Sequence, residues 1–245
     1  MTPTRLFDCI EYQLKKSPRD DMFAAKEEGG VWRKYSTAEV KEITDKLAAG
    51  LAHLGISGND MSVEGRDKIA VISANRPEWM FLDLAVQKIG AVLVPIYPTL
   101  AEAELKFVLN DAAVKLVFVG DEELYEKVQR VRSQVPSVQA VYTFSYLQPA
   151  LYWKDLLSIG TAADVAAVAQ AAARVQNEDL LTIIYTSGTT GTPKGVMLSH
   201  KNLLSNVMNS MKVFDEFCSD GDKALSFLPL NHIFERMVSY VYLFS

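Results

Sequence analysis

From Lys68 onward, short unbroken apolar runs alternate with stretches whose apolar positions fall three and four residues apart. The runs KIAVISA (68–74), AVLVPIY (91–97), VKLVFVG (114–120) and VQAVYTF (138–144) read as buried strands. Between them the helical spacing predicts three helices. The first opens at Asn75-Arg76-Pro77, carries Trp79, Phe81, Leu82 and Val86, and closes at Gly90. The second is capped by Thr99 with Glu102 and carries Leu105, Val108 and Leu109. The third is a charged helix over Glu122–Arg132. Ahead of this series, Leu6, Phe7, Ile10 and Leu14 share one face of an opening helix over 5–16. Residues 22–35 read as a hairpin turning at Gly29-Gly30. Ser36 and Glu39 form a capping box for a helix with Val40, Ile43, Leu47, Leu51 and Leu54, which Gly55 ends.

Strands alternating with amphipathic helices imply an α/β chain with a layered parallel sheet, helices on both faces, and ligands at the carboxyl ends of the strands. Residues 146–160 show no period. The Ala-rich AADVAAVAQAAARV that follows predicts a helix and a connector. The expected organisation is therefore a first α/β lobe over 1–178 and the start of a second over 179–245.

Composition changes this picture little. Of the 245 residues 49% are apolar and 22% charged, with a net charge of −5, an ordinary globular profile. The mild acidity argues against a nucleic-acid partner, which calls for a basic surplus on one face. Cys9 and Cys218 lie far apart without metal-ligand spacing, as plain thiols of a reducing, cytoplasmic setting do. No apolar run approaches the ~20 residues that cross a bilayer, which leaves association with a membrane surface open. No metal site is expected.

The chemistry concentrates after LLTIIY (180–185), a buried-type strand that runs directly into Thr186-Ser187-Gly188-Thr189-Thr190-Gly191-Thr192-Pro193-Lys194-Gly195. Its glycines free the backbone so that successive N–H groups can converge on one anion. Ser187 with Thr186, Thr189, Thr190 and Thr192 adds hydroxyl donors, and Lys194 adds a positive charge. Such a set suits the β- and γ-phosphates of a nucleotide. A Gly/Ser/Thr-rich stretch alone is more often a flexible loop; its place after a buried strand, and its Pro-Lys-Gly ending, favour the site. The G-x-x-x-x-G-K-[ST] phosphate loop fits poorly. Counted from Gly188, its second glycine falls on Pro193 and its hydroxyl on Gly195, and a strand (VMLS) follows. Ser199 then caps a helix holding Leu203, Leu204 and Val207.

YTSGTTGTPKGVMLSH (185–200) resembles the phosphate-binding signature of the adenylate-forming superfamily, which includes acyl-CoA synthetases, luciferases and peptide-synthetase adenylation domains. LPLNHIFER (228–236) is similar to that family's next motif, and its Phe-Glu-Arg ending to the long-chain fatty-acyl branch. NRPEWMFLDLAVQKIGAVLVPIYPT (75–99) also resembles that branch. The resemblance implies the N-terminal part of the acyl-CoA synthetase-like fold. It also implies ATP with magnesium, coenzyme A as co-substrate and a fatty acid as partner. In the implied reaction a carboxylate attacks the α-phosphate of ATP, and coenzyme A then displaces AMP. The segment from Thr186 to Gly195 would hold phosphates, and His232 would lie at the carboxylate. A peptide-synthetase adenylation module and a non-catalytic nucleotide-binding fragment are the alternatives.

His53 is expected on a helix surface and His200 in local structure beside the Ser199 cap. Glu235 and Arg236 are expected to pair, shaping either the acyl site or the fold. The resemblance further implies magnesium, adenine and ribose motifs and a C-terminal domain with a catalytic lysine, none of which occurs in these 245 residues. The chain is accordingly expected to be truncated and inactive alone. Its apolar end, MVSYVYLFS (237–245), is expected to lack partners and to fray or pair with another copy.

Overall fold

A computed structural model of the chain describes residues 3–27, 29–186, 192–214 and 221–245. In chain order, α1 (Asp8–Lys16) precedes a hairpin of β1 (Phe23–Lys26) and β2 (Trp32–Tyr35), and α2 (Thr37–His53) follows it. Then come β3 (Lys68–Ile72), α3 (Pro77–Lys88), β4 (Val92–Ile96), α4 (Glu102–Asp111), β5 (Val114–Val119), α5 (Glu122–Arg132) and β6 (Ala140–Thr143). Next are β7 (Leu151–Tyr152), a short 3-10 turn, α6 (Leu156–Ile159), α7 (Ala162–Arg174) and β8 (Leu180–Thr186). The described chain ends with β9 (Lys194–Ser199), α8 (His200–Phe214) and α9 (Ile233–Phe244).

A seven-stranded sheet runs in the order β7-β6-β5-β3-β4-β8-β9. All neighbouring pairs are parallel except β8 with β9, so the parallel series expected from sequence ends in an antiparallel edge. Successive side chains of a strand point to opposite faces, and each face here has its own core. Ile69, Val71, Leu93, Leu116 and Phe118 pack against α1, α2, α3, α8 and α9. Ala70, Ile72, Val92, Val94, Val117 and Val119 pack against α4 and α5. The β1–β2 hairpin docks through Phe23 and Tyr35, whose rings meet the Phe81 ring edge-on at 5.9 and 5.2 Å.

β8 joins the sheet at Leu93↔Thr182, where the Thr182 hydroxyl also donates to the Leu93 carbonyl at 2.7 Å. The expected division between residues 178 and 179 falls on the connector before this strand.

Several local expectations are corrected. Ser36 accepts from the Glu39 N–H, but the Glu39 carboxylate pairs with Arg33 instead of reaching back. Thr99 does not cap α4: Ala101 holds that position, and its N–H donates to Glu104. Residues 146–160 are not irregular throughout, since β7 pairs with β6, and Trp153 and Leu156 are buried against the helical layer. The segment 237–245 is neither frayed nor bare. It forms α9, with Tyr240, Val241 and Phe244 fully buried, Phe244 against Tyr12 of α1 and Tyr242 against Phe214 of α8. It lacks charge because one face of the helix is core. No single helix among the described residues is long and apolar enough to cross a membrane. Cys9 is buried, which pushes its thiol up and away from the reactive thiolate; Cys218 lies outside the described residues.

Two expectations follow from the packing. Gly50 faces α6 so closely that an added Cβ would stand 2.1 Å from the Leu156 carbonyl oxygen. Gly50→Ala should therefore destabilise by about 1–3 kcal/mol, although alanine is the better helix former, and a urea midpoint measures it. His200 is almost fully buried, its Nδ1 accepting from the Leu6 N–H. Burial, aided by the charges of Arg236, Arg5 and Arg66, pushes its pKa down to about 3. The unfolded chain therefore binds a proton that the folded chain refuses. This contribution to stability is present above the ordinary value of 6.5 and is lost as pH falls toward 3, by about 2 kcal/mol at pH 5. Urea midpoints at pH 7 and 5 should differ less in His200→Asn than in the unaltered chain.

Candidate functional site at the carboxyl end of the sheet

The strands β3, β4 and β8 are neighbours, so their carboxyl ends form one edge about 10 Å across. Two segments converge on it. The first is the hairpin of β8 and β9, in which Thr186 is the ladder partner of Lys194 and Tyr185 that of Gly195. Thr186, Thr192, Lys194 and Gly195 are exposed, and among the described residues Lys194 makes no ion pair. Ser187, Gly188, Thr189, Thr190 and Gly191 lie outside the described residues. Gly195 has a packing reason as well: a Cβ there would stand 2.8 Å from the Ile183 side chain and 3.2 Å from the Tyr185 ring. Beside the hairpin, a cavity of about 60 Å³ is lined by Ile96, Tyr97, Leu100, Tyr185, Thr186 and Pro193. That is room for a few waters and too little for a nucleotide.

The second segment is 228–236. Asn75, just past β3, donates to the Leu228 carbonyl at 2.7 Å and accepts from the Leu230 N–H at 2.9 Å. Asn231 is buried. Its Oδ1 accepts from the Trp79 indole N–H at 3.1 Å, and its Nδ2 donates to the Ser73 carbonyl. His232 is exposed and caps α9, its Nδ1 accepting from the Phe234 N–H at 3.2 Å. Arg236 does not pair with Glu235, as expected from sequence, but with Asp83 of α3. Both members are fully buried, and Arg236 Nε lies 2.9 Å from Asp83 Oδ2. The Tyr240 hydroxyl donates to the same carboxylate at 2.8 Å, and Gln87 donates to both. Burial first, and then the Asp83 charge, pushes the Tyr240 hydroxyl far up, which keeps it a donor. Glu235 is buried outside this set.

Asn75, Trp79 and Asp83 hold the 228–236 segment in place, and sequence reasoning missed them. A signal existed. Trp79, Asp83 and Gln87 recur every fourth residue along a buried face of α3, and an acid at a core position calls for a buried partner. His53 is exposed, with Nδ1 3.1 Å from Asp164, and it takes no part in the site.

The AMP-binding enzyme family matches residues 10–245 of this chain. The chain belongs to that family. This AMP-binding enzyme chain is 32% identical over 210 residues to a long-chain-fatty-acid–CoA ligase of Mycobacterium bovis, covering 86% of the chain and 34% of that protein. It is 34% identical over 217 residues to the peroxisomal long chain acyl-CoA synthetase 6 of Arabidopsis thaliana, covering 84% of the chain and 28% of that protein. The chain thus spans about a third or less of the length of these relatives. Among solved structures, the long-chain-fatty-acid–CoA ligase of Archaeoglobus fulgidus superposes over 99% of the chain and 46% of its own, with a TM-score of 0.76 at 23% identity. The acetoacetyl-CoA synthetase of Streptomyces lividans does so over 98% and 37%, with a TM-score of 0.78 at 17% identity. These two share the fold.

Removing one member of a buried ion pair leaves the other charge stranded. Asp83→Ala should lower stability by about 3–5 kcal/mol, read as a shift in the urea midpoint without loss of the helical circular-dichroism signal in water.

Proposed function

We propose that this AMP-binding enzyme chain is the phosphate- and carboxylate-facing part of an ATP-dependent acid–thiol ligase for long-chain fatty acids. One observation carries the reading. The exposed Lys194 opens β9 beside the carboxyl end of β8, and the segment carrying the exposed His232 is tied through Asn75 and Asn231 to the residues just past β3, on the same edge of one sheet, where α/β folds take their ligands. The long-chain ligase names of the relatives support the substrate class.

In the first step the fatty carboxylate oxygen attacks the α-phosphorus of ATP, the bond to the β-phosphate bridge breaks, and pyrophosphate leaves. In the second the coenzyme A sulfur attacks the acyl carbon, the thiol proton is lost and AMP leaves. Two anions must meet in the first step, so its barrier falls when fixed donors and charge take up the departing pyrophosphate. Thr186, Ser187, Gly188, Thr189, Thr190, Gly191, Thr192 and Gly195 supply hydroxyls and backbone N–H groups, and Lys194 supplies the charge. His232 faces the carboxylate. Among the described residues no group of His, Cys, Asp and Glu side chains fits a metal ion.

The test is ATP–pyrophosphate exchange driven by a long-chain acid, run on a protein of the relatives' full length that contains this chain. Lys194→Ala should slow exchange by roughly tenfold to a hundredfold while leaving the urea midpoint unchanged. Exchange equal to the parent's would overturn the phosphate role.

A further inference from the structure

His232 sits between two anchors on one helix. On its N-terminal side Asn231 is held by Trp79, and on its C-terminal side Arg236 is held by Asp83; both holders lie on α3, one turn apart. The backbone from 231 to 236 is thereby pinned at both ends. The Phe234 N–H, one of the donors that a helix start leaves without an internal partner, points at His232 Nδ1. A ring nitrogen that accepts a hydrogen bond carries no proton. In the neutral ring the proton is then on Nε2, the free nitrogen of an exposed side chain.

We infer that the buried Asp83–Arg236 pair and the Trp79–Asn231 bond act as positioning residues that hold His232 as an Nε2–H hydrogen-bond donor, not as a general base. The inference rests on the carboxylate role given to His232 above and specifies its chemistry. A donor stabilises the carboxylate in the geometry of attack and the charge that redistributes over it. No proton need move to or from the ring, because the attacking carboxylate is already ionised. Taking a proton on Nδ1 would break the α9 cap, so that nitrogen is committed to structure. Asp83, Arg236, Tyr240 and Gln87 are buried and do not face the ligand edge, so they act through the backbone of α9's first turn.

The spectroscopic test needs no ligand. In the 245-residue chain, labelled with ¹⁵N histidine and held in alkaline buffer, long-range ¹H–¹⁵N correlation reports which nitrogen of each ring is protonated. The capping bond should suppress the Nδ1–H form of His232 about fivefold relative to a histidine in an unstructured peptide, the equivalent of about 1 kcal/mol. His200, buried and bonded elsewhere, serves as the internal control for folding. In Asp83→Asn, and in the milder Tyr240→Phe should the first not fold, the His232 ratio should relax toward the peptide value while His200 stays unchanged. A dominant Nδ1–H form, or a His232 ratio in the unaltered chain equal to the peptide's, overturns the assignment. A ratio unmoved in both variants overturns the positioning role.

The functional arm uses the protein of full relatives' length. Glutamine places an amide N–H near the Nε2 position, so His232→Gln should retain exchange within about tenfold of the parent, whereas His232→Ala should lose on the order of a hundredfold. Equal losses in both overturn the donor role. Exchange unchanged in both removes His232 from the carboxylate, which is the failure of the proposed function and leaves the tautomer measurement standing.

Discussion

Much of this site's geometry depends on one carboxylate placed where water cannot reach it. Asp83 sits on the buried face of α3 and gathers Arg236, Tyr240 and Gln87, three donors from two helices far apart in sequence. Burying that charge alone would be prohibitive, and the pair with Arg236 offsets the desolvation only while the geometry is kept. Apolar residues of similar size would pack these helices together as well or better. A hydrophobic contact, however, tolerates sliding, whereas a two-point Arg–carboxylate contact with a phenol on the same oxygen allows one register of α9 against α3. That register decides where residue 232 emerges from the helix start, and hence what the edge of the sheet presents to a ligand.

The βα series was legible because its signals are local. Unbroken runs such as KIAVISA and VKLVFVG can serve a strand buried on both faces, and helix spacing between them requires crossovers. The hairpin turn at Gly29-Gly30 and the glycine stop at Gly55 are backbone requirements, with φ of +87°, +82° and +77°. What failed was the assignment of partners. Glu39 could reach its own cap or Arg33, and tertiary proximity decided for Arg33. Arg236 had an adjacent acid in sequence, yet adjacent residues on a helix point about 100° apart, and Asp83 lay across the interface instead. The apolar end 237–245 looked unpartnered for the same reason: its partners, Tyr12 and Phe214, are distant in sequence and invisible to a local reading.

The candidate site was legible in part and for unequal reasons. The Thr186–Gly195 segment announces itself by composition, since few structural needs call for so many glycines and hydroxyls after a buried strand. His232 does not, because a single histidine in an apolar segment has no signature without its neighbours. Its holders were hidden more thoroughly. Trp79 and Asn75 read as ordinary core and helix-start residues, and only the spacing of Trp79, Asp83 and Gln87 hinted at a polar seam on the buried face of that helix.

The antiparallel pairing of β8 with β9 accounts for the one break in the parallel pattern. A parallel continuation would need a crossover of a dozen residues or more, and would carry the chain from the strand's carboxyl end to the far side of the sheet. Folding straight back keeps both ends of the Gly/Ser/Thr segment at the ligand edge, with Thr186 and Lys194 fixed as ladder partners. The entropy of closing a loop is then already met by strand pairing. The same hairpin makes Gly195 indispensable, because the Ile183 and Tyr185 side chains occupy the space a Cβ would take. Lys194, directly before that glycine, is thereby left exposed at the first rung of the edge strand, on the rung it shares with Thr186.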